Sequence, residues 1–330
     1  MGYGYTEMNS IVKTKGLTKQ YGNVLAVDHL DLEVFEGEIF GLLGPNGAGK
    51  TTTIRMLTGQ TKPTSGTATV ANHDIIHEPI KAKRQIGVVP DVSNIYDEMS
   101  AWENLIFAAQ LYSVPKTERE KRAKDLLELF ELYERRKDRV EGFSRGMKRR
   151  VTIAAALIHK PKLLFLDEPT SGLDVQSSRT IRSLTKELND DGVTIFLTTH
   201  YIEEADQLCQ RVAIINKGRI VTVDSPEKLK ASMEERQVIE VSFSPSTNLD
   251  KLKGLSCVNN VSRLGDKCRL HVTDASEAVS SLVDFAKKNN LKIISINTLK
   301  PSLEDAFVKL TGLSSEVLTV EKEPAKKKVE

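Results

Sequence analysis

The sequence predicts an α/β chain, an open parallel sheet wrapped by helices, followed by a smaller α+β domain. Three observations predict it. An apolar run ending at Leu43 passes through a glycine-rich loop into a segment with helical apolar spacing at Ile54, Met56 and Leu57. Two later apolar runs, in "LLFLDEPTSGLD" (Leu163 to Asp174) and "VTIFLTTH" (Val193 to His200), end in polar residues, as strands covered on both faces do. Beyond about residue 231 the pattern changes to short strands alternating with helices.

Bulk numbers bound the answer. A length of 330 residues suggests two domains, and 39% hydrophobic with 28% charged residues allows a sizeable core. The 47 basic and 45 acidic residues leave a net charge of +2, so no global field marks nucleic acid as the partner, and none is expected. Cys209, Cys257 and Cys268 form no Cys-x-x-Cys pair. They read as small core residues in a reducing compartment, not as a disulfide framework or a thiolate zinc site. No apolar stretch approaches the roughly 18 residues of a spanning helix, and "MGYGYTEMNS" lacks the apolar region of a secretion signal.

The first element with chemistry is "GPNGAGKTT", which has the G-x-x-x-x-G-K-[ST] form between a strand and a helix. The loop Gly44, Pro45, Asn46, Gly47, Ala48, Gly49 lets backbone N–H groups close around phosphate oxygens. Lys50 reaches the β and γ phosphates, Thr51 can ligate magnesium, and Thr52 continues the cradle. The expected ligand is therefore a nucleoside triphosphate with Mg2+.

Next comes "GFSRGMKRR", residues 142 to 150, with a serine where a helix begins. The stretch holds no carboxylate and no histidine, so it is poor material for proton chemistry. A serine hydroxyl and free N–H groups at a helix start attract anions, although an ordinary N-cap is the plainer reading.

The strand run from Leu163 delivers Asp167 and Glu168 to its carboxyl end, where ligands of open parallel sheets bind. Asp167 is expected to bind magnesium, and Glu168 to orient or deprotonate the attacking water. His200 follows the third strand run and could hydrogen-bond a γ-phosphate oxygen or the water. The other histidines, His29, His73, His77, His159 and His271, read as structural or exposed.

In this order the motifs resemble those of an ATP-binding cassette (ABC) ATPase, over about Ile11 to Leu229, with "DEPTSGLD" and "TTHYIEEAD" the most specific stretches. The resemblance implies a P-loop NTPase fold with a helical subdomain at about residues 92–145. It implies that the helix opening at Ser144, with Gly146, clamps the γ-phosphate of ATP held on a partner's P-loop. That partner would be a second copy or a paralogous ATPase subunit. Ser171 to Asp174 would pass geometry between the two sites, and Tyr21 would stack on adenine, as aromatics do on bases. Integral membrane permease subunits are the further partners implied, with the chain on the cytoplasmic face of the cell membrane.

Two residues depart from the family pattern. Arg145 replaces the first glycine after the signature serine, and Asp91 stands where the family has glutamine. A carboxylate ligates magnesium but donates no hydrogen bond at neutral pH, so Asp91 is expected to be a stronger metal ligand than the amide.

The remaining elements follow. "SAWENLIFAAQLY" and "TEREKRAKDLLELFELYERR", split by Pro115, have helical spacing and charged faces. After residue 231, "VIEVSF", "CVNNVSRL", "KCRLHVT" and "LKIISINT" read as strands, with helices in "TNLDKLKG" and "EAVSSLVDFAKKNN". That order suggests a ferredoxin-like α+β domain. Its ending, "KPSLEDAFVKLTG", resembles the extension on ATPase subunits of the ABC-2 drug-export type. The expected division is an N-terminal extension over residues 1–10, an ATPase domain over 11–230, an accessory domain over 231–315 and a disordered charged tail over 316–330. The rival function is a soluble ABC ATPase acting on ribosomes or nucleic acid. Such proteins carry two cassettes or a long coiled coil, and this chain has a single P-loop.

Overall fold

The computed structural model describes residues 9–232, 237–299 and 301–313. The charged tail expected over 316–330, and residues 1–8 of the N-terminal extension, lie outside the described residues. The chain divides into two compact units, one running through Ser225 and the other from Pro226 to Leu313.

In the first unit the chain runs through β1 (Ser10–Tyr21), β2 (Val24–Leu30), β3 (Glu33–Phe35), β4 (Ile39–Leu43), α1 (Lys50–Leu57), β5 (Ser65–Val70), β6 (His73–Asp74), α2 (Pro79–Arg84) and β7 (Ile86–Val89). It continues through α3 (Ala101–Leu111), α4 (Lys116–Leu129), α5 (Arg145–Leu157), β8 (Leu163–Asp167), α6 (Val175–Asp190), β9 (Thr194–Thr199), α7 (Ile202–Leu208), β10 (Arg211–Asn216) and β11 (Arg219–Asp224).

Two sheets result. One is antiparallel, ordered β2-β1-β5-β6 with β3 also paired to β1. Although the alternation from Ile11 onward and the turn at Gly22 were available as signals, this sheet is not among the expectations from sequence. The other, ordered β11-β10-β4-β9-β8-β7, is parallel except for β11 at its edge. Its central strands are buried along their whole length, because helices and the other sheet's core cover both faces. Phe196 of β9 lies between Phe40 of β4 and Phe165 of β8, with ring centroids 5.5 and 5.3 Å away. All three rings are fully buried. Truncating any of them to alanine costs about 3–5 kcal/mol and loosens the strands that carry the site.

α3 begins at a capping box between Ser100 and Glu103. α4 is shorter than its spacing predicts. Helical periodicity runs from Thr117 to Arg136, but the helix stops at Leu129, and Glu131 takes a left-handed φ of 54°. Burial of Phe130 and Leu132 forces that turn, and no glycine or proline announces it.

The second unit contains α8 (Pro226–Ala231), β12 (Gln237–Ser244), α9 (Leu249–Lys253), β13 (Val258–Leu264), β14 (Lys267–Val272), α10 (Ala275–Lys288), β15 (Lys292–Leu299) and α11 (Leu303–Thr311). Its sheet is ordered β13-β14-β12-β15 and is antiparallel throughout, the arrangement of a ferredoxin-like fold. Cys257 and Cys268 pack in this unit's core, and Cys209 is buried in the first unit. Among the described residues no helix is long and apolar enough to cross a membrane.

Candidate active site

Register brings the site together. On the parallel sheet Leu43 pairs with Thr199, and Asp167 pairs with Thr198. The glycine-rich loop, the acid pair and His200 therefore leave three adjacent strands at one level, at their carboxyl ends.

The loop folds as an anion cradle. Gly49 is the N-cap of α1 with φ 107°, and a Cβ there would lie 2.5 Å from the Ala26 carbonyl oxygen, so only glycine fits. α1 has no side-chain cap and no acid in its first turn, so its first N–H groups and positive dipole end suit an anion. The Lys50 side chain is buried. Its Nζ donates to the carbonyls of Gly44 (2.7 Å) and Pro45 (3.1 Å) and lies 3.0 Å from Glu168 Oε1. A cavity of about 170 Å³ opens here, lined by Ala26, Asn46, Gly47, Gly49, Lys50, Thr51, Thr52 and Glu168. Ala48 instead points into the core. A buried cation and a helix start without a side-chain cap fit the polyphosphate of a nucleotide.

Asp167 accepts hydrogen bonds from the hydroxyls of Thr198 (2.6 Å) and Thr51 (3.3 Å). Burial raises its pKa above the ordinary aspartate range, and the two hydroxyls offset that only in part. Among the described residues no cluster of three or more His, Cys, Asp or Glu side chains could hold a metal ion. One carboxylate beside a hydroxyl is nonetheless the donor set expected for magnesium, which takes its other ligands from phosphate and water.

Glu168 adopts a left-handed φ of 50°, an uncommon conformation for a residue with a side chain. Its N–H donates to the carbonyl of Thr198 at 3.1 Å and to that residue's hydroxyl at 3.2 Å. One carboxylate oxygen faces Lys50, and the other lies 2.6 Å from His200 Nδ1. Burial pushes the Glu168 carboxyl up, but the His200 hydrogen bond and the Lys50 charge together bring it below its ordinary value.

The other residues expected at the site do not line this cavity. Ser144 is the N-cap of α5, accepting from the Met147 N–H at 3.2 Å, and its side chain is exposed. Gly146 is pressed against α6, where a Cβ would fall 2.3 Å from Ser177 Oγ. Asp174 caps α6 through the N–H (2.8 Å) and hydroxyl (2.7 Å) of Ser177. Asp91 lines a separate cavity with Ser93, Arg145, Lys148, Arg149 and Ser171. Arg145 reaches the Gly172 carbonyl at 3.4 Å. Tyr21 ends β1 with 45% of its surface exposed, and Lys19 Nζ lies 4.9 Å from the ring centre.

Sequence reasoning missed Ala26, Arg149 and Glu204. Glu204 of α7 is fully buried and accepts a hydrogen bond from the hydroxyl of Thr170 at 3.0 Å. Thr170 lies two residues past Glu168, so this carboxyl anchors the segment that follows Glu168. Burial raises its pKa. The adjacent acids Glu203 and Glu204 were a signal, but nothing in the sequence says which one turns inward.

Comparisons with known proteins give the family. The ABC transporter family model matches residues 27–171, and a model for the C-terminal domain of ATP-binding protein DrrA1-3-like matches residues 225–311. The linearmycin resistance ATP-binding protein of Bacillus subtilis is 38% identical over 306 residues, covering 92% of this chain and 98% of its own. The daunorubicin/doxorubicin resistance ATP-binding protein of Streptomyces peucetius is 34% identical over 329 residues, covering 98% and 99%. A dimeric post-hydrolysis structure of the ATP-binding cassette MJ0796, bound to ADP and Pi, has a TM-score of 0.60 at 30% identity, covering 65% of this chain and 98% of its own. These relatives do not favour the ribosome or nucleic-acid reading. The chain belongs to the ABC transporter ATPases, as the ATP-binding and ATP-hydrolysing subunit of an exporter, with an additional C-terminal domain.

Proposed function

We propose that the chain binds MgATP in the Lys50 cradle and pairs across the nucleotide with a second copy or a paralogous subunit. It then energises separate integral membrane permease subunits from the inner face of the cell membrane. One constellation supports this reading: Glu168 held between Lys50 and His200 at the ends of adjacent strands.

Lys50 and the first N–H groups of α1 bind and orient the β and γ phosphates. Thr51 and Asp167 would hold magnesium, which supplies Lewis-acid neutralisation of the phosphate oxygens when bound. Glu168 orients the attacking water and takes its proton, being ionised at neutral pH and fixed at both oxygens. His200 holds the Glu168 carboxylate in position. Ser144 and the N–H groups of the first turn of α5 contribute the clamp from the facing subunit, and Tyr21 takes the adenine.

Glu168→Gln with ATP and magnesium tests the reading. Light scattering is expected to show a long-lived dimer, with single-turnover hydrolysis reduced about 10²–10⁴-fold, the scale of general-base loss. Lone protomers or a native rate would refute it.

A further inference from the structure

Arg149, in the second turn of α5, is only 5% exposed. A guanidinium carries five N–H groups. Here each has a backbone carbonyl to donate to. Nε reaches Pro169 (2.9 Å), Nη2 reaches Asp167 (3.0 Å) and Glu168 (2.6 Å), and Nη1 reaches Pro90 and, at 3.4 Å, Asp91. These carbonyls lie at or just past the carboxyl ends of β7 and β8, where ladder pairing ends.

Burial disfavours the arginine charge, and the carboxylates of Asp91, Asp167, Glu204 and Glu168 oppose that effect. α5 is keyed to β7 and to the loop after it in two further places. A Cβ on Gly87 would lie 2.4 Å from the Ala156 carbonyl oxygen, so helix and strand touch there, and the hydroxyls of Ser93 and Thr152 are 2.7 Å apart.

We propose that Arg149 is a positioning residue for hydrolysis. It couples α5, whose N-terminus carries Ser144, to the backbone of Glu168 and to the segment carrying Asp91, so that all three shift as one body. A displacement of Ser144 on engaging nucleotide then reaches the catalytic carboxylate through one rigid fork. Lysine cannot replace it, because three N–H groups on a single atom cannot span two strand ends. The left-handed backbone of Glu168 is held open by this donation from one side and by Thr198 from the other. The inference rests on Glu168 acting on the water.

The test uses the full-length protein carrying Arg149→Lys, which keeps the charge and removes the fork. Should that variant fail to fold, Arg149→Gln, with a planar amide, takes its place. ATP turnover is expected to fall about 10²-fold, the scale of a 1 Å misplacement, with affinity for a nonhydrolysable ATP analogue within about threefold. Hydrogen exchange should rise together in residues 90–93 and 167–170 while residues 44–57 stay as in wild type. A native turnover rate would overturn the proposal, and so would faster exchange spread evenly over α5 and the P-loop, the signature of plain destabilisation. If Glu168→Gln also turns over normally, the reading of the site has failed; if Glu168→Gln is inactive while Arg149→Lys is native, only the coupling has.

Discussion

His200 Nδ1 lies 2.6 Å from Glu168 Oε2, and an ionised carboxylate can only accept, so the imidazole donates its Nδ1–H to it. This contact, with Lys50 on the other oxygen, fixes the carboxylate plane. His200→Ala should therefore lower kcat by about 10²-fold while leaving KM for ATP within a few-fold, because the phosphate cradle is untouched. His200→Gln, whose amide can still donate, should recover part of the loss. Steady-state phosphate release measures both, and equal rates for alanine and wild type would leave the contact without a catalytic role.

Asp167 makes a prediction of opposite sign for stability. Its pKa is raised in the folded state by burial, so the charged form weakens folding at neutral pH. That penalty exists above the raised folded pKa and disappears as pH falls through the ordinary aspartate range. Asp167→Asn keeps an oxygen for the Thr198 and Thr51 hydroxyls but carries no charge. Its melting temperature should exceed that of wild type at pH 8, with the difference shrinking towards zero in acid, while hydrolysis is lost. A lower melting temperature at pH 8 would mean that the carboxylate is compensated in the folded state.

Gly146 is held to glycine by packing. Alanine inside a helix normally gains about 0.5–1 kcal/mol over glycine. Here the new Cβ would lie 2.3 Å from Ser177 Oγ and 2.7 Å from Ser177 Cβ, inside contact distance. Overpacking of this kind costs roughly 1–3 kcal/mol, so Gly146→Ala should be a net loss. Gly146→Ala with Ser177→Gly should regain the packing part of that loss, and denaturant melts of the single and double variants decide the point.

How much of this could be read from the chain depends on the range of the contact. The P-loop, Asp167, Glu168 and His200 are local patterns, and adjacent parallel strands bring their ends together without further information. The ferredoxin-like order of the second unit followed from alternation alone. Arg149 was invisible because its acceptors lie up to 59 residues away and are backbone atoms, which carry no residue identity. The packing of Gly146 against Ser177 was invisible because the two residues sit on different helices. The early end of α4 was hidden because the burial of Phe130 and Leu132 overrides a periodicity that continues past them.

Tyr21 should govern affinity with little effect on the rate of hydrolysis. Its ring is exposed, and Lys19 Nζ, 4.9 Å from the ring centre, makes a cation–π contact with it. Stacking of a base on an aromatic ring contributes about 1–3 kcal/mol, so Tyr21→Ala should raise KM for ATP by roughly 5–150-fold, while Tyr21→Phe should change it little. Competition between ATP and GTP in both variants reads the effect. An unchanged KM in the alanine variant would place adenine elsewhere.

Asp91 tests the unusual chemistry at the glutamine position. Its charge is felt by both Asp167 and Arg149, so it stands electrically between the proposed magnesium ligand and the guanidinium fork. Two roles follow, and they predict different measurements. As a metal ligand it would add a full negative charge to the cation. A unit charge about 4 Å from a cation at an effective dielectric near 20 contributes on the order of 4 kcal/mol, well above the roughly 1.4 kcal/mol that a tenfold shift requires. Asp91→Gln should then raise the half-saturating magnesium concentration at least about tenfold and leave kcat at saturating magnesium near native. As a counter-charge to Arg149 alone, it would leave magnesium dependence unchanged and lower kcat by loosening the fork. A magnesium titration of ATPase activity in Asp91→Gln separates the two, and an unshifted midpoint removes Asp91 from the metal site.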